Sequence, residues 1–438
     1  MTLRNLIAGT DLETRRVFLG GMAQSLLGVG AAAAFGPAAI ARALAQDPAA
    51  PVVLGRASAK SVIYLFLRGG MSHIDTLDPK PGKTTQGPVD ALPTRADGVR
   101  LGQYLPKLAD HMDKVCIVSS MSSKQGAHPQ AQYLMRTSYE LRGTIQHPSL
   151  GAWFQRLAGR RNPNLPGHVL IGGGAEMPSA GYFPPDFQAL PIGSAEDGLQ
   201  NSSLPRGVDQ DRFQRRMQRL EKLDAAFAEK HSQRGVAAYS KAYADAVRLM
   251  RSSDLQAFDI DLESKAMQQA YGETQFGQGC LLARRLVEHG VRYVEVMSDG
   301  WDTHADNFDR LGDLTPSIDQ GLSALLADLD ARGLLRETLV VLATEFGRTP
   351  DIDQDQGRNH YPKAFSCLLA GGGVRGGQRY GSTDDEGREV TSDPVSIQDF
   401  NATIAHATGI PLDYVVTSPS GRPFKVADKG TPITSIFA

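Results

Sequence analysis

Apolar and polar positions divide this chain into short unbroken apolar runs and longer stretches with helical spacing. Ser61–Leu67 reads Ser-Val-Ile-Tyr-Leu-Phe-Leu and ends in Arg68-Gly-Gly70. A short β-branched and aromatic run of this kind predicts a strand buried on both faces, as in a parallel sheet. Residues 114–118 form a second such run, and His168–Ile171 a third, ending in Gly172-Gly-Gly174. Residues 130–136 predict a helix behind a His-Pro start. Residues 274–289 have helical spacing, with Leu281, Leu282, Leu286 and Val287 apolar and Gly290 as the stop. A strand is predicted over 291–297 and a helix over 317–331, which Gly333 ends. Strands follow over 338–343 and 364–370, then a helix over 396–408. Helix and strand in this rhythm predict βα crossovers. The fold class is therefore α/β, with a doubly wound, mostly parallel sheet. Residues from about 176 to 265 break the rhythm. They open with Pro and Gly and become charged and helical from 209 to 250, which predicts a helical insertion with a solvated face.

The first 45 residues read as an address. Arg15-Arg16 stand before Val-Phe18-Leu19, a Gly/Ala-rich apolar stretch runs to Ile40, and Ala43-Leu-Ala45 offers a small-x-small cleavage site before Gln46. That is the order of a secretory signal, and the paired arginines with Phe and Leu behind them look like its twin-arginine variant. Residues 46–438 would then be a single exported, periplasmic α/β domain carrying the insertion, with no stable membrane span after processing. The expected partner in transit is the twin-arginine export machinery.

Charge works by exclusion. The 438 residues carry 46 Lys+Arg and 48 Asp+Glu, a net charge of −2, and removing the leader leaves −4. A nucleic-acid binder is not expected from this balance. Hydrophobic residues at 41% supply a full core. Three cysteines, Cys116, Cys280 and Cys367, each lie in an apolar run and are expected buried; they are too few for a disulfide framework or a four-cysteine zinc site.

Ligands of open parallel sheets bind beyond the carboxyl ends of the strands, so the chemistry is sought there. After the first strand comes Arg68-Gly-Gly-Met-Ser-His73-Ile-Asp75. After 291–297 comes Ser298-Asp-Gly-Trp-Asp302-Thr-His304. After 338–343 comes Thr344-Glu345-Phe-Gly-Arg348, and before 364 stands Gly357-Arg-Asn-His360. Asp302 and His304 are two apart, so an extended segment points both the same way. With His360 they make a plausible ligand set for zinc, manganese or iron. Other motifs fail. Gly82-Lys-Thr lacks the earlier glycine of a phosphate loop, which here is Leu77. Gly371-x-Gly373-x-x-Gly376 is followed by Gly-Gln-Arg-Tyr-Gly rather than a helix, and reads as a turn.

Several longer stretches carry a resemblance. They are Gly69-Gly-Met-Ser-His-Ile-Asp75-Thr-Leu-Asp-Pro-Lys80, Phe276-Gly-Gln-Gly-Cys-Leu-Leu-Ala-Arg-Arg-Leu-Val-Glu288, Gly300-Trp-Asp-Thr-His304, Glu345-Phe-Gly-Arg-Thr-Pro350 and Gly357-Arg-Asn-His360. Together they resemble the bacterial domain-of-unknown-function family numbered fifteen-oh-one, over about residues 62–409. Its members are typically exported by the twin-arginine route and grouped with the alkaline phosphatase and sulfatase superfamily. The resemblance implies an alkaline-phosphatase-like core and an ancestral site for two divalent metals. The chain departs from that superfamily where it matters. Arg68-Gly69 stands for the usual Asp-Gly, Glu345-Phe346 for Asp-His, and His128 for the nucleophile; the sulfatase Cys-x-Pro-x-Arg is missing. One metal site would be retained through Asp302, His304 and His360. The other would be rebuilt from Glu345, His128, and His73 or Asp75. Arg68 and Arg348 add positive charge suited to phosphate, sulfate or carboxylate.

Two functions compete at this point. One is a metal-dependent hydrolase for a small anionic ester, with His128 or Glu345 as base and Arg68 stabilising developing charge. The other is a catalytically degenerate protein that binds an anion or helps assemble a partner.

Overall fold

The computed structural model describes residues 54–173, 179–200, 202, 209, 211–216, 218–219 and 244–438. The expected leader lies outside them, as does the middle of the expected helical insertion. Among the described residues no helix is long and apolar enough to cross a membrane.

Among the described residues, nine strands form one sheet. They are β1 (Ser61–Leu67), β2 (Val115–Ser122), β3 (His168–Ile171), β4 (Leu190–Ile192), β5 (Tyr293–Ser298), β6 (Thr338–Ala343), β7 (Phe365–Gly371), β8 (Gln378–Tyr380) and β9 (Val395–Ser396). The spatial order is β8-β2-β7-β6-β1-β5-β3-β4, with β9 also paired to β2. Every pairing is parallel except those of β7, which runs antiparallel to both β2 and β6. The fold is α/β with a mostly parallel central sheet, as the rhythm of the sequence predicts.

All seven residues of β1 are buried, because both sheet faces are covered. Ile63, Leu65 and Leu67 feed one core, shared with α3 (Gln275–Glu288) and α4 (Asn307–Ala331). Val62, Tyr64 and Phe66 feed the other, shared with α1 (His128–Thr137), α2 (Leu150–Ala158) and α5 (Ile397–Ala407). Alternate side chains of one strand thus serve opposite layers. Thr274 caps α3 by accepting from Gly277 N, and Ser396 caps α5 in a reciprocal box with Asp399. The three cysteines are free and buried.

Three elements depart from the sequence reading. Helix α4 begins ten residues earlier than expected and runs through Pro316, whose missing N–H the helix tolerates. Leu190–Ile192, inside the stretch expected as a helical insertion, is an edge strand parallel to β3. Its three residues are too few for a periodicity to register. The described ends of that stretch, 211–216, 218–219 and 244–250, are helical. The third departure is the reversed direction of β7, and it bears directly on the site.

Candidate metal centre

Strands β6, β1 and β5 are adjacent and parallel, so their carboxyl ends lie side by side. They deliver Glu345, Gly69 and the loop with Asp302 and His304 to one edge. The loop after β2 leads to His128, the first residue of α1. His360 arrives differently. It precedes β7, and before a parallel strand it would stand at the opposite edge. Because β7 is antiparallel, its entry lies at the carboxyl edge of its neighbours.

Short ladders then fix His360. Gly347–Arg348 pairs antiparallel with His360–Tyr361, setting His360 opposite Arg348. Arg358 N donates to Thr303 O at 3.1 Å, and Asn307 N to Gln356 O at 3.0 Å, zipping the loop of His304 to that of His360. A Cβ on Gly357 would lie 1.7 Å from His304 O, so this approach requires glycine.

Three imidazole Nε2 atoms converge on one carboxylate oxygen. Asp302 Oδ1 lies 3.3 Å from His128 Nε2, 3.1 Å from His304 Nε2 and 3.3 Å from His360 Nε2. His128, Asp302 and His360 offer ligand atoms that all lie within 4.8 Å of one another. The other ring nitrogens are committed. His128 Nδ1 donates to Glu345 Oε1 at 2.8 Å, and His360 Nδ1 to Gly126 O at 2.7 Å. His304 Nδ1 donates to Asn359 Oδ1 at 3.0 Å, an orientation set by Asn359 Nδ2 facing Asp353. With Nδ1 protonated in each, neutral rings present lone pairs at Nε2. His304 Nε2 and His360 Nε2 lie 3.0 Å apart, within hydrogen-bond distance of each other. Nε2 of His128 is buried, with Asp302 Oδ1 3.3 Å away. Imidazoles whose far nitrogen donates to a carboxylate, carbonyl or amide oxygen are the arrangement of histidine metal ligands. The donor set therefore fits a divalent transition ion.

Electrostatics hold Asp302 and His360 in their ligating forms and shift His128 toward the protonated ring. Burial works against the Asp302 carboxylate, but the Arg348 guanidinium and His128 outweigh it and hold its pKa well below the usual range. Burial pushes His360 below the ordinary imidazole value, with Arg348 and His128 adding to this against the Gly126 bond. His128 is raised by its bond to Glu345, against the effect of burial. Phe346, fully buried, packs against both His128 and His360, with ring centroids at 4.9 and 4.7 Å.

The remaining sequence candidates sit elsewhere or act otherwise. Asp75 is not at the cluster; it is buried in a two-pronged pair with Arg358, at 2.8 and 2.9 Å, and also accepts from Asn307 Nδ2. His73 is fully buried with Nε2 on Gly387 O, and is not among the converging imidazoles. Among the described residues, neither belongs to the group whose ligand atoms converge. Arg68 makes a two-pronged pair with Asp299, at 2.6 and 2.9 Å. Arg348, not Arg68, contacts the Asp302 carboxylate, and it also donates to Gly69 O, Gly70 O and Arg358 O. Glu345 reaches the cluster only through His128. Sequence reasoning missed Gly126, Gln132 and Asn359, whose roles depend on contacts made across the fold.

No curated protein matches the chain at a significant level. Similar solved structures include the PsFucS1 sulfatase from Pseudoalteromonas sp., 12% identical over 85% of this chain and 73% of that one, with a TM-score of 0.39. They also include the lipoteichoic acid synthase LtaP from Listeria monocytogenes (9%, 82% and 74%, TM-score 0.36) and alkaline phosphatase from the Antarctic bacterium TAB5 (12%, 81% and 99%, TM-score 0.33). At TM-scores this low the likenesses carry no argument about activity. The family comparison is decisive where they are not: residues 59–437 match the model described as "Protein of unknown function (DUF1501)", and the chain belongs to that family.

Proposed function

We propose that the protein is an exported, metal-dependent hydrolase acting on a small anionic ester, a phosphate or a sulfate. The observation that supports this reading is the convergence of three Nδ1-anchored imidazoles on Asp302 Oδ1. His128, Asp302 and His360 would hold one divalent ion, zinc or manganese, with His304 beside it at the half-exposed rim. The chemistry such an ion supplies when bound is Lewis acidity toward an ester oxygen. His304 is placed to take the proton of an attacking water at Nε2 and return it to the leaving alcohol. Arg348, itself fully buried, keeps Asp302 ionised at neutral pH.

A second reading is a degenerate, non-catalytic binding protein. It is favoured by one observation: Glu345, expected as a base, is fully buried with its Oε1 taken by Gly69 N, His128 Nδ1 and Gln132 Nε2.

The test is metal analysis of the full chain purified without chelator, followed by assay on aryl phosphate and aryl sulfate esters. About one equivalent of metal and turnover of one ester class are expected, both lost in Asp302→Ala and His360→Ala. Metal without turnover of any ester would leave the binding reading. No metal in the wild type would overturn both the site and the mechanism.

A further inference from the structure

Glu345 is fully buried at the carboxyl end of β6. Its Oε1 accepts from Gly69 N at 2.9 Å, His128 Nδ1 at 2.8 Å and Gln132 Nε2 at 3.1 Å. Thr344 Oγ1, which donates to Leu67 O at 2.8 Å, lies 3.3 Å from Oε2. These contacts join separate pieces of chain at one oxygen: the loop after β1, and the first and second turns of α1. Gly69 is also the residue against which the Asp302 backbone packs, since a Cβ there would lie 2.4 Å from Asp302 N. Oε1 is thus the point where the entry of α1 is pinned to the loop that supports Asp302.

An ionised carboxylate oxygen only accepts hydrogen bonds, so the contact places the His128 proton on Nδ1. In the neutral ring Nε2 is then left with a lone pair beside Asp302 Oδ1, 3.3 Å away. The other two rings are anchored on neutral oxygens, Gly126 O and Asn359 Oδ1. His128 alone is backed by a buried carboxylate, the partner that most raises the basicity of a ligating imidazole.

We infer that Glu345 is a positioning residue, neither base nor metal ligand, which fixes the tautomer and ring plane of His128 so that Nε2 faces the centre as an electron-pair donor. The consequence for ion binding rests on the function proposed above; the tautomer does not.

The experiment uses ¹⁵N-labelled full chain and histidine side-chain NMR at alkaline pH, where the ring is neutral, with His128→Gln to assign the signal. The wild type should show the Nδ1–H tautomer at His128. Glu345→Ala should give a tautomer mixture and weaken Zn²⁺ affinity, measured by chelator competition, by about 10–100-fold. Glu345→Gln keeps an oxygen for the same donors, so it should restore the tautomer with only part of the affinity. An Nε2–H tautomer in the wild type would overturn the inference, whether or not the alanine variant folds. So would an unchanged tautomer in a folded Glu345→Ala. If the wild type takes up no Zn²⁺, the proposed function fails while the tautomer still decides the role of Glu345.

Discussion

At the scale of single residues, the cluster depends on side chains that touch it and on glycines that make room for it. Gly69 has φ +127°, a region that side chains rarely adopt, and a Cβ there would drive into the Asp302 backbone. Gly69→Ala is therefore expected to displace Asp302 and cut Zn²⁺ affinity at least about tenfold, a displacement worth about 1.4 kcal/mol or more. Gly193→Ala, where a Cβ would meet nothing within 4 Å, serves as the control and should leave affinity unchanged. Equal affinities in the two variants would remove the argument that Asp302 is held by backbone contact. Sequence inspection names Gly69 within a motif but gives no hint of its neighbour, because residues 69 and 302 meet only when β1 and β5 pair.

At the scale of elements, the site is an edge built by strands and closed by loops, and Arg358 ties those loops down. Its side chain and that of Asp75 are both fully buried. It also donates to Thr85 O at 2.7 Å and Thr349 O at 3.1 Å, joining the loop that carries His360 to the segments after β1 and β6. Removing one member of a buried pair leaves the other charge uncompensated, at a cost of about 3–5 kcal/mol. Arg358→Ala should lower the urea midpoint accordingly. Asp75→Asn combined with Arg358→Met should be less destabilised than Arg358→Ala alone. If the double variant is the worse of the two, the pair contributes more than mutual neutralisation. Asp75 therefore reads as a structural anchor, although its position after a strand makes it look like a ligand. The sequence shows charge type and strand-end placement, but not which opposite charge is folded against it.

At the scale of the whole molecule, ion binding and protonation should both appear in stability. An ion that binds only the folded chain stabilises it by about 2.7 kcal/mol at a hundredfold excess over Kd. Zn²⁺ should therefore raise Tm, EDTA should reverse this, and Asp302→Ala should show neither effect. A Tm shift that persists in Asp302→Ala would place the ion elsewhere. Acid sensitivity has a separate origin. His147 is buried, with Nδ1 2.9 Å from the Tyr133 hydroxyl, and burial pushes its pKa down to about 4, with Arg142 adding to the effect. As pH falls below about 6.5 the unfolded chain gains a proton that the folded chain refuses until about pH 4. Stability should fall across that window, by about 3 kcal/mol from this group, and then level off. His147→Gln should flatten that part of the profile measured by denaturant midpoint; an unchanged slope would assign it to other groups.

The α/β class, most of the strands and helices, and the kinds of side chain gathered after the strands are all legible in the sequence. Those features are local: apolar period, capping residues and glycine stops act within a few positions of one another. Which of the candidates meet depends on the folded chain. It turned β7 antiparallel and so brought His360 to the working edge. It drew His128 to Asp302 while giving Asp75 to Arg358 and Arg68 to Asp299, and it enclosed Glu345 behind the imidazole it holds. Strand direction and pairing are settled by packing between segments far apart in the chain, so no local pattern carries them.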